Sequence, residues 1–214
     1  MSLREGASAV LSAPVIEALA RLAQKQRGPT RHRQPVAILG PGDGGSVECE
    51  AAYAVAHALA GAGMAVVCGG RGGVMEAAAR GAHERGAHTI GILSGYEHGA
   101  ANPHIEFAIA TGMGEARNAV VVGSADAVVA LAGEGGTLSE IGFALKIGRP
   151  VVALRAWPNI EGIEHAEDPA AAVSGAMRMV RLMAARQGRR ARRAKPNAGD
   201  PAPEAGDGRK GAKP

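Results

Sequence analysis

Aromatic residues are scarce in this chain: Phe, Trp and Tyr together make up 2% of its 214 residues. So few rings leave little material for a base-stacking platform of the kind that holds single-stranded nucleic acid. With 46% hydrophobic content, the core must come from Val, Ile, Leu, Ala and Met, and the length suits one compact domain. Cysteine is scarce too. Cys49 and Cys68 have neither zinc nor redox-pair spacing, and they sit in apolar surroundings, so both are expected to be reduced, buried and cytosolic. Long apolar runs are missing, which argues against a membrane span. The early stretch AVLSAPVIEALA is broken by Pro14 and Glu17, so it does not read as a signal peptide. The expectation is a soluble, cytoplasmic protein with no membrane partner.

Several catalytic signatures are also absent. No Gly-Lys-Ser/Thr occurs, which removes a Walker A loop. No nucleophile elbow supports Ser-His-Asp chemistry. The histidines (His32, His57, His83, His88, His98, His104 and His165) show no metal-ligand spacing, and no metal site is expected.

Basic charge is confined to the ends. The formal net charge is +4, but residues 1–34 carry six Lys/Arg against two Asp/Glu, and residues 186–214 carry nine against three. The middle carries nine against fifteen and is acidic. Residues 1–34 read as an N-terminal extension with a short helix at Val15–Lys25. Residues 186–214 are rich in Arg, Ala, Gly and Pro without an apolar period, and they read as a disordered basic tail. A solvated tail is preferred there over a nucleic-acid contact.

Residues 35–185 alternate regularly between short apolar runs and helical patterns. The runs VAILG, AVVCGG, HTIGILSG, IEFAIAT, DAVVALAG and PVVALRAW read as strands, PVVALRAW being the last. Continuous apolar strands fit a sheet covered on both faces. The fold class is therefore α/β: a Rossmann-like, doubly wound, largely parallel sheet with helices on both faces. Ligands of such sheets bind beyond the carboxyl ends of the strands. Three glycine clusters fall there, each after a strand and before a helix: GPGDGG (40–45), GGRGG (69–73) and GEGG (133–136). Helix starts of this kind favour anions, with phosphate the natural ligand.

Each cluster has a plainer reading. Gly40, Gly42 and Gly45 fit G-x-G-x-x-G, but the next strand ends in Cys68-Gly69-Gly70 where a dinucleotide site needs an acidic residue. A tight turn with some phosphate contact fits better than NAD binding. In GGRGG, dense glycines would let a backbone approach a ligand, while Arg71 could be simply exposed. Thr137-Leu-Ser-Glu140 matches a helix capping box, with Thr137 as the cap and Glu140 reaching back to it. On that reading Glu140 is structural.

Three stretches taken together carry a resemblance: CGGRGGVM (68–75), GMGEARNAV (112–120) and AGEGGTLSE (132–140), the last followed by IGFALKIGRPVV. Their order and spacing resemble the LONELY GUY (LOG)-type Rossmann-like proteins, closest to the branch that includes molybdenum-cofactor carrier proteins. The resemblance covers about residues 35–183. LOG enzymes cleave the N-glycosidic bond of a nucleoside 5′-monophosphate, giving base and ribose 5-phosphate. Carried over from their PGGxGTxxE motif and upstream Arg-Lys pair, the catalytic positions fall on Arg117 and Glu140. Gly133, Gly135, Gly136 and Thr137 fall on the phosphate loop, with Gly42, Gly45, Gly70, Gly72, Gly73 and Asn118 beside it. This chain departs from the LOG motif at Ala132, Glu134 and Asn118, which stand where the motif has Pro, Gly and Lys.

Two functions follow from the resemblance. One is binding of a phosphorylated nucleotide-like molecule, either a nucleoside monophosphate or a pterin-type ligand such as the molybdenum cofactor, with no further cofactor required. The other is LOG-like phosphoribohydrolase activity, in which a carboxylate stabilises an oxocarbenium-like state and a guanidinium holds substrate oxygens. The resemblance also implies a homo-oligomer, dimer or tetramer.

Overall fold

A computed structural model describes residues 35–193 together with Glu17, with side chains as far as Arg186. Apart from Glu17, the extension expected at 1–34 lies outside the described residues, as does the tail beyond 193.

Seven strands form one parallel sheet: β1 (Val36–Leu39), β2 (Val66–Cys68), β3 (Thr89–Leu93), β4 (Phe107–Ala110), β5 (Ala127–Ala130), β6 (Val151–Leu154) and β7 (Glu164–Ala166). Their order is β4-β3-β2-β1-β5-β6-β7, and every neighbouring pair is parallel. The helices are α1 (Ser46–Gly61), α2 (Val74–His83), α3 (Asn118–Gly123), α4 (Gly135–Lys146) and α5 (Pro169–Arg193). Short 3-10 turns occur at His98–Ala100 and Gly114–Arg117. The α/β expectation therefore holds, with a sheet that is parallel throughout. PVVALRAW is not the last strand: β7 follows it, a polar tripeptide that pairs only with β6 at the sheet edge.

The four strands β2, β1, β5 and β6 are buried at every position, which is why they read as uninterrupted apolar runs. Two hydrophobic clusters lie on opposite faces of the sheet. One gathers Val36, Ile38, Val55, Leu59, Met64, Val129, Val173 and Val180 under α1, α2 and α5. The other gathers Leu39, Val67, Ile92, Val121, Val128 and Ile141 under α3 and α4.

With few large rings available, α1 and α2 pack through alanine and glycine. A β-carbon at Gly81 of α2 would lie 2.5 Å from the Tyr53 carbonyl oxygen of α1. Gly81→Ala is therefore expected to force the two helices apart and to cost about 1–3 kcal/mol. Thermal denaturation would show this as a fall of several degrees; an unchanged midpoint would mean the helices do not need that contact.

α5 continues through Arg193, so the boundary drawn at residue 185 falls inside it. Arginine and alanine favour helix, and cations suit a helix C-terminus. No helix among the described residues is long and apolar enough to cross a membrane.

Candidate functional site

From β1 the chain proceeds one way to β2, β3 and β4, then returns to lay β5 on the other side of β1. The β1 and β5 exits are therefore a topological switch point, where loops diverge and leave a crevice. A cleft of about 250 Å³ opens there. Its floor is formed by Ile38, Leu39, Gly69, Arg117, Asn118, Thr137 and Glu140; its rim carries Asp43, Arg71, Glu115 and Glu134.

Of the residues expected at a site, the cleft brings together Gly42, Gly136, Thr137, Arg117, Asn118 and Glu140. Gly45, Gly70, Gly72, Gly73, Gly133 and Gly135 do not line it. Most of these serve the frame. Gly45 is the residue before α1. Gly73 has φ 60°, and a β-carbon there would lie 2.5 Å from the Gly42 carbonyl oxygen, so only glycine lets the GGRGG loop nest against GPGDGG. Gly133 leaves room for the Thr137 hydroxyl, which would lie 2.4 Å from a β-carbon at that position. Gly135 is exposed at the start of α4.

The capping-box reading is corrected. α4 begins at Gly135 with Glu134 before it, and no side chain caps that end. Thr137 lies within the first turn and is 4% exposed, and Glu140 lines the cleft rather than reaching back to cap the helix. The helix starts three residues earlier than the Thr-x-x-Glu pattern implies, although two glycines, poor helix formers, open it. Its first-turn N–H groups therefore have no side-chain acceptor. α1 and α2 likewise start without side-chain caps.

Arg117 ends the 3-10 turn at Gly114–Arg117 and is only 7% exposed. Its guanidinium lies over Gly69, where a β-carbon would come 2.1 Å from Nη1. It makes no hydrogen bond or ion pair among the described residues, and its Nε is buried without a partner. Glu140 is also 7% exposed. Burial pushes its carboxyl up to about 7, opposed by Arg117 and reinforced by Glu115. Asn118 Nδ2 reaches Ser139 Oγ at 3.5 Å, and its Oδ1 is buried without a partner.

Behind the floor, two side chains brace the GGRGG loop. Cys68 Sγ accepts the Gly70 N–H at 3.4 Å, and burial lifts the Cys68 thiol to about 11. Asn102 Nδ2 donates to the carbonyls of Gly70 (3.1 Å) and Arg71 (2.8 Å). Both cysteines are free: Cys68 is buried and Cys49 half-buried. Among the described residues, no cluster of His, Cys, Asp and Glu is arranged to hold a metal. Gly69, Asp43, Met75, Glu115 and Asn102 were not singled out as site residues from the sequence. The pairing of Asn102 with a loop some 31 residues away has no local signature.

Crevice, parallel sheet and uncapped helix starts define a Rossmann-like protein of the nucleotide- or cofactor-binding class. The chain belongs to the SLOG cluster4 family, whose model matches residues 33–183. It is 38% identical over 139 residues to an uncharacterized protein of Archaeoglobus fulgidus, covering 65% of this chain and 91% of that one. Among solved structures, it is similar to the molybdenum cofactor binding protein of Rippkaea orientalis: 33% identity, TM-score 0.63, 67% of this chain and 94% of that one. It is also similar to the molybdenum cofactor carrier protein of Chlamydomonas reinhardtii: 30% identity, TM-score 0.63, 72% of this chain and 99% of that one.

Proposed function

We propose that this chain binds a phosphorylated, nucleotide-like small molecule in the cleft, either a nucleoside monophosphate or a pterin-type ligand such as the molybdenum cofactor. Arg117 is the observation that carries the reading. A buried arginine that makes no hydrogen bond or ion pair among the described residues is costly, and an oxyanion bound in the cleft would offset that cost. The uncapped start of α4 adds N–H donors beside Gly136 and Thr137, so two independent groups ask for negative charge at one place. The rim carboxylates of Asp43, Glu115 and Glu134 would favour hydrogen-bond donors on the rest of the ligand. The relatives named for molybdenum cofactor binding and carriage support the pterin-type option. A homo-oligomer, taken from the family resemblance, and a cytoplasmic location, taken from the cysteine usage and the lack of long apolar runs, belong to the same proposal.

The test is calorimetry and thermal shift on the full-length protein with AMP, GMP and ribose 5-phosphate. At Gly136 a β-carbon would meet open space, so Gly136→Asp should fold normally while placing a carboxylate at the cleft wall. Saturable binding that Gly136→Asp weakens at least tenfold, about 1.4 kcal/mol, is the expected result. No binding of any of the three compounds would end the nucleotide reading.

Phosphoribohydrolase activity is the second reading, and Glu140 is the observation that favours it. A carboxyl with a pKa of about 7 beside a guanidinium could serve as acid or base near neutral pH, or stabilise an oxocarbenium-like state when ionised. Incubation with the two nucleoside monophosphates and chromatography for free base decides between the readings. Base release that vanishes in Glu140→Gln and Arg117→Ala would make the chain an enzyme.

A further inference from the structure

After β6 the chain turns sharply through two non-glycine residues in the left-handed region, Arg155 (φ 51°) and Trp157 (φ 59°). Side chains larger than hydrogen are disfavoured there, and Trp157 also precedes Pro158, which restricts its backbone further. Strained backbone of this kind persists only where its surroundings fix it. Here both positions are tied. The Arg155 backbone N–H donates to the Ala166 carbonyl (2.9 Å), and its Nε donates to the Glu167 carbonyl. The Trp157 ring packs with Ile160 and Ile163 against the cluster under α3 and α4. Its indole N–H donates to the Leu131 carbonyl at 2.9 Å.

Leu131 is the residue immediately after β5, and it leads into Ala132, Gly133, Glu134 and the start of α4. Its own N–H donates to the Leu39 carbonyl at the end of β1 (2.9 Å). Leu131 is thus held on one side by β1 and on the other by Trp157. These two bonds set the direction in which the GEGG segment leaves the sheet, and hence where the first turn of α4 meets the cleft. We infer that Trp157 is a positioning residue for the anion-facing segment at 132–137. The inference rests on the proposed ligand site for its binding consequence, but not for its structural one.

Trp157→Phe keeps a ring in the packing cluster and removes the N–H. Ile160→Ala is the control, since Ile160 shares the cluster without contacting Leu131 through a side-chain hydrogen bond. Two measurements on the full-length protein are needed: amide hydrogen exchange over residues 132–137, and affinity for GMP by calorimetry. The expected result for Trp157→Phe is at least fivefold faster exchange confined to 132–137 and about threefold or more weaker GMP binding. Ile160→Ala should alter neither selectively, even where its melting temperature falls as far. If Trp157→Phe leaves exchange at 132–137 unchanged, or if Ile160→Ala reproduces the local effect, the positioning role is overturned. If the exchange result appears but wild type does not bind GMP, Trp157 positions the segment as inferred and the nucleotide reading is what fails.

Discussion

Glu140→Gln is expected to remove a contribution that lowers wild-type stability as pH rises from about 4.5 to about 7. Glu140 has an ordinary carboxyl value of 4.5 that burial raises to about 7, with Arg117 opposing and Glu115 reinforcing the shift. Within that window the folded protein keeps a proton that the unfolded chain has lost, so rising pH favours unfolding. Below about 4.5 both states are protonated, and above about 7 both are ionised, so this contribution is flat outside the window. A shift of this size corresponds to at most about 3 kcal/mol. Glutamine keeps the shape and cannot ionise, so it should lack this slope. Urea denaturation of both proteins at pH 4.5, 6 and 8 measures it. Stability curves that stay parallel across the range would show that Glu140 is ionised like any surface carboxylate. The same titration bears on binding. An anion placed beside Arg117 adds negative charge near Glu140 and raises its pKa further, so ligand binding just above pH 7 should take up a proton.

The sheet was legible in the sequence because buried parallel strands must be aliphatic throughout, and VAILG and DAVVALAG could hardly be anything else. β7 was not legible: Glu164-His165-Ala166 has no apolar run, and its place depends on pairing with β6 and on the ion pair between Glu164 and Arg178 of α5. The glycine clusters lie at the edge of the sheet where the cleft opens, but composition could not say which glycines line it. Gly73 and Gly133 turn out to accommodate their neighbours, while Gly69, never singled out, lies under Arg117. Arg117 and Glu140 were reachable only through the family motif. Nothing local to EARN or TLSE marks a buried arginine without a hydrogen bond or a carboxyl deprived of water; both conditions arise when segments about twenty residues apart converge. The capping box misled for a related reason. A side chain that could cap its own helix was instead drawn inward by tertiary packing, and two glycines took over the first turn.

Arg117→Met is expected to separate stability from binding. Arg117 is 7% exposed, its Nε is buried without a partner, and it forms no ion pair among the described residues. Methionine retains the apolar reach over Gly69 and removes the desolvated charge, so the variant should be at least as stable as wild type and up to about 2 kcal/mol more stable. One term opposes this gain. Arg117 favours the ionised form of Glu140, so its loss should move the Glu140 window upward in pH and reduce the gain above pH 7. Arg117→Met in a Glu140→Gln background removes that coupling, and a double-mutant cycle at pH 8 measures it. Binding should move the other way. Losing the one buried cation on the cleft floor should weaken AMP or GMP at least 100-fold, about 2.7 kcal/mol. Arg117→Lys should recover only part of this, because an ammonium cannot offer the two-point contact of a guanidinium. A variant that loses binding only because it unfolds would show a lower melting temperature. Binding lost at unchanged or higher stability is the signature of a charge held in the cleft for a ligand rather than for the fold.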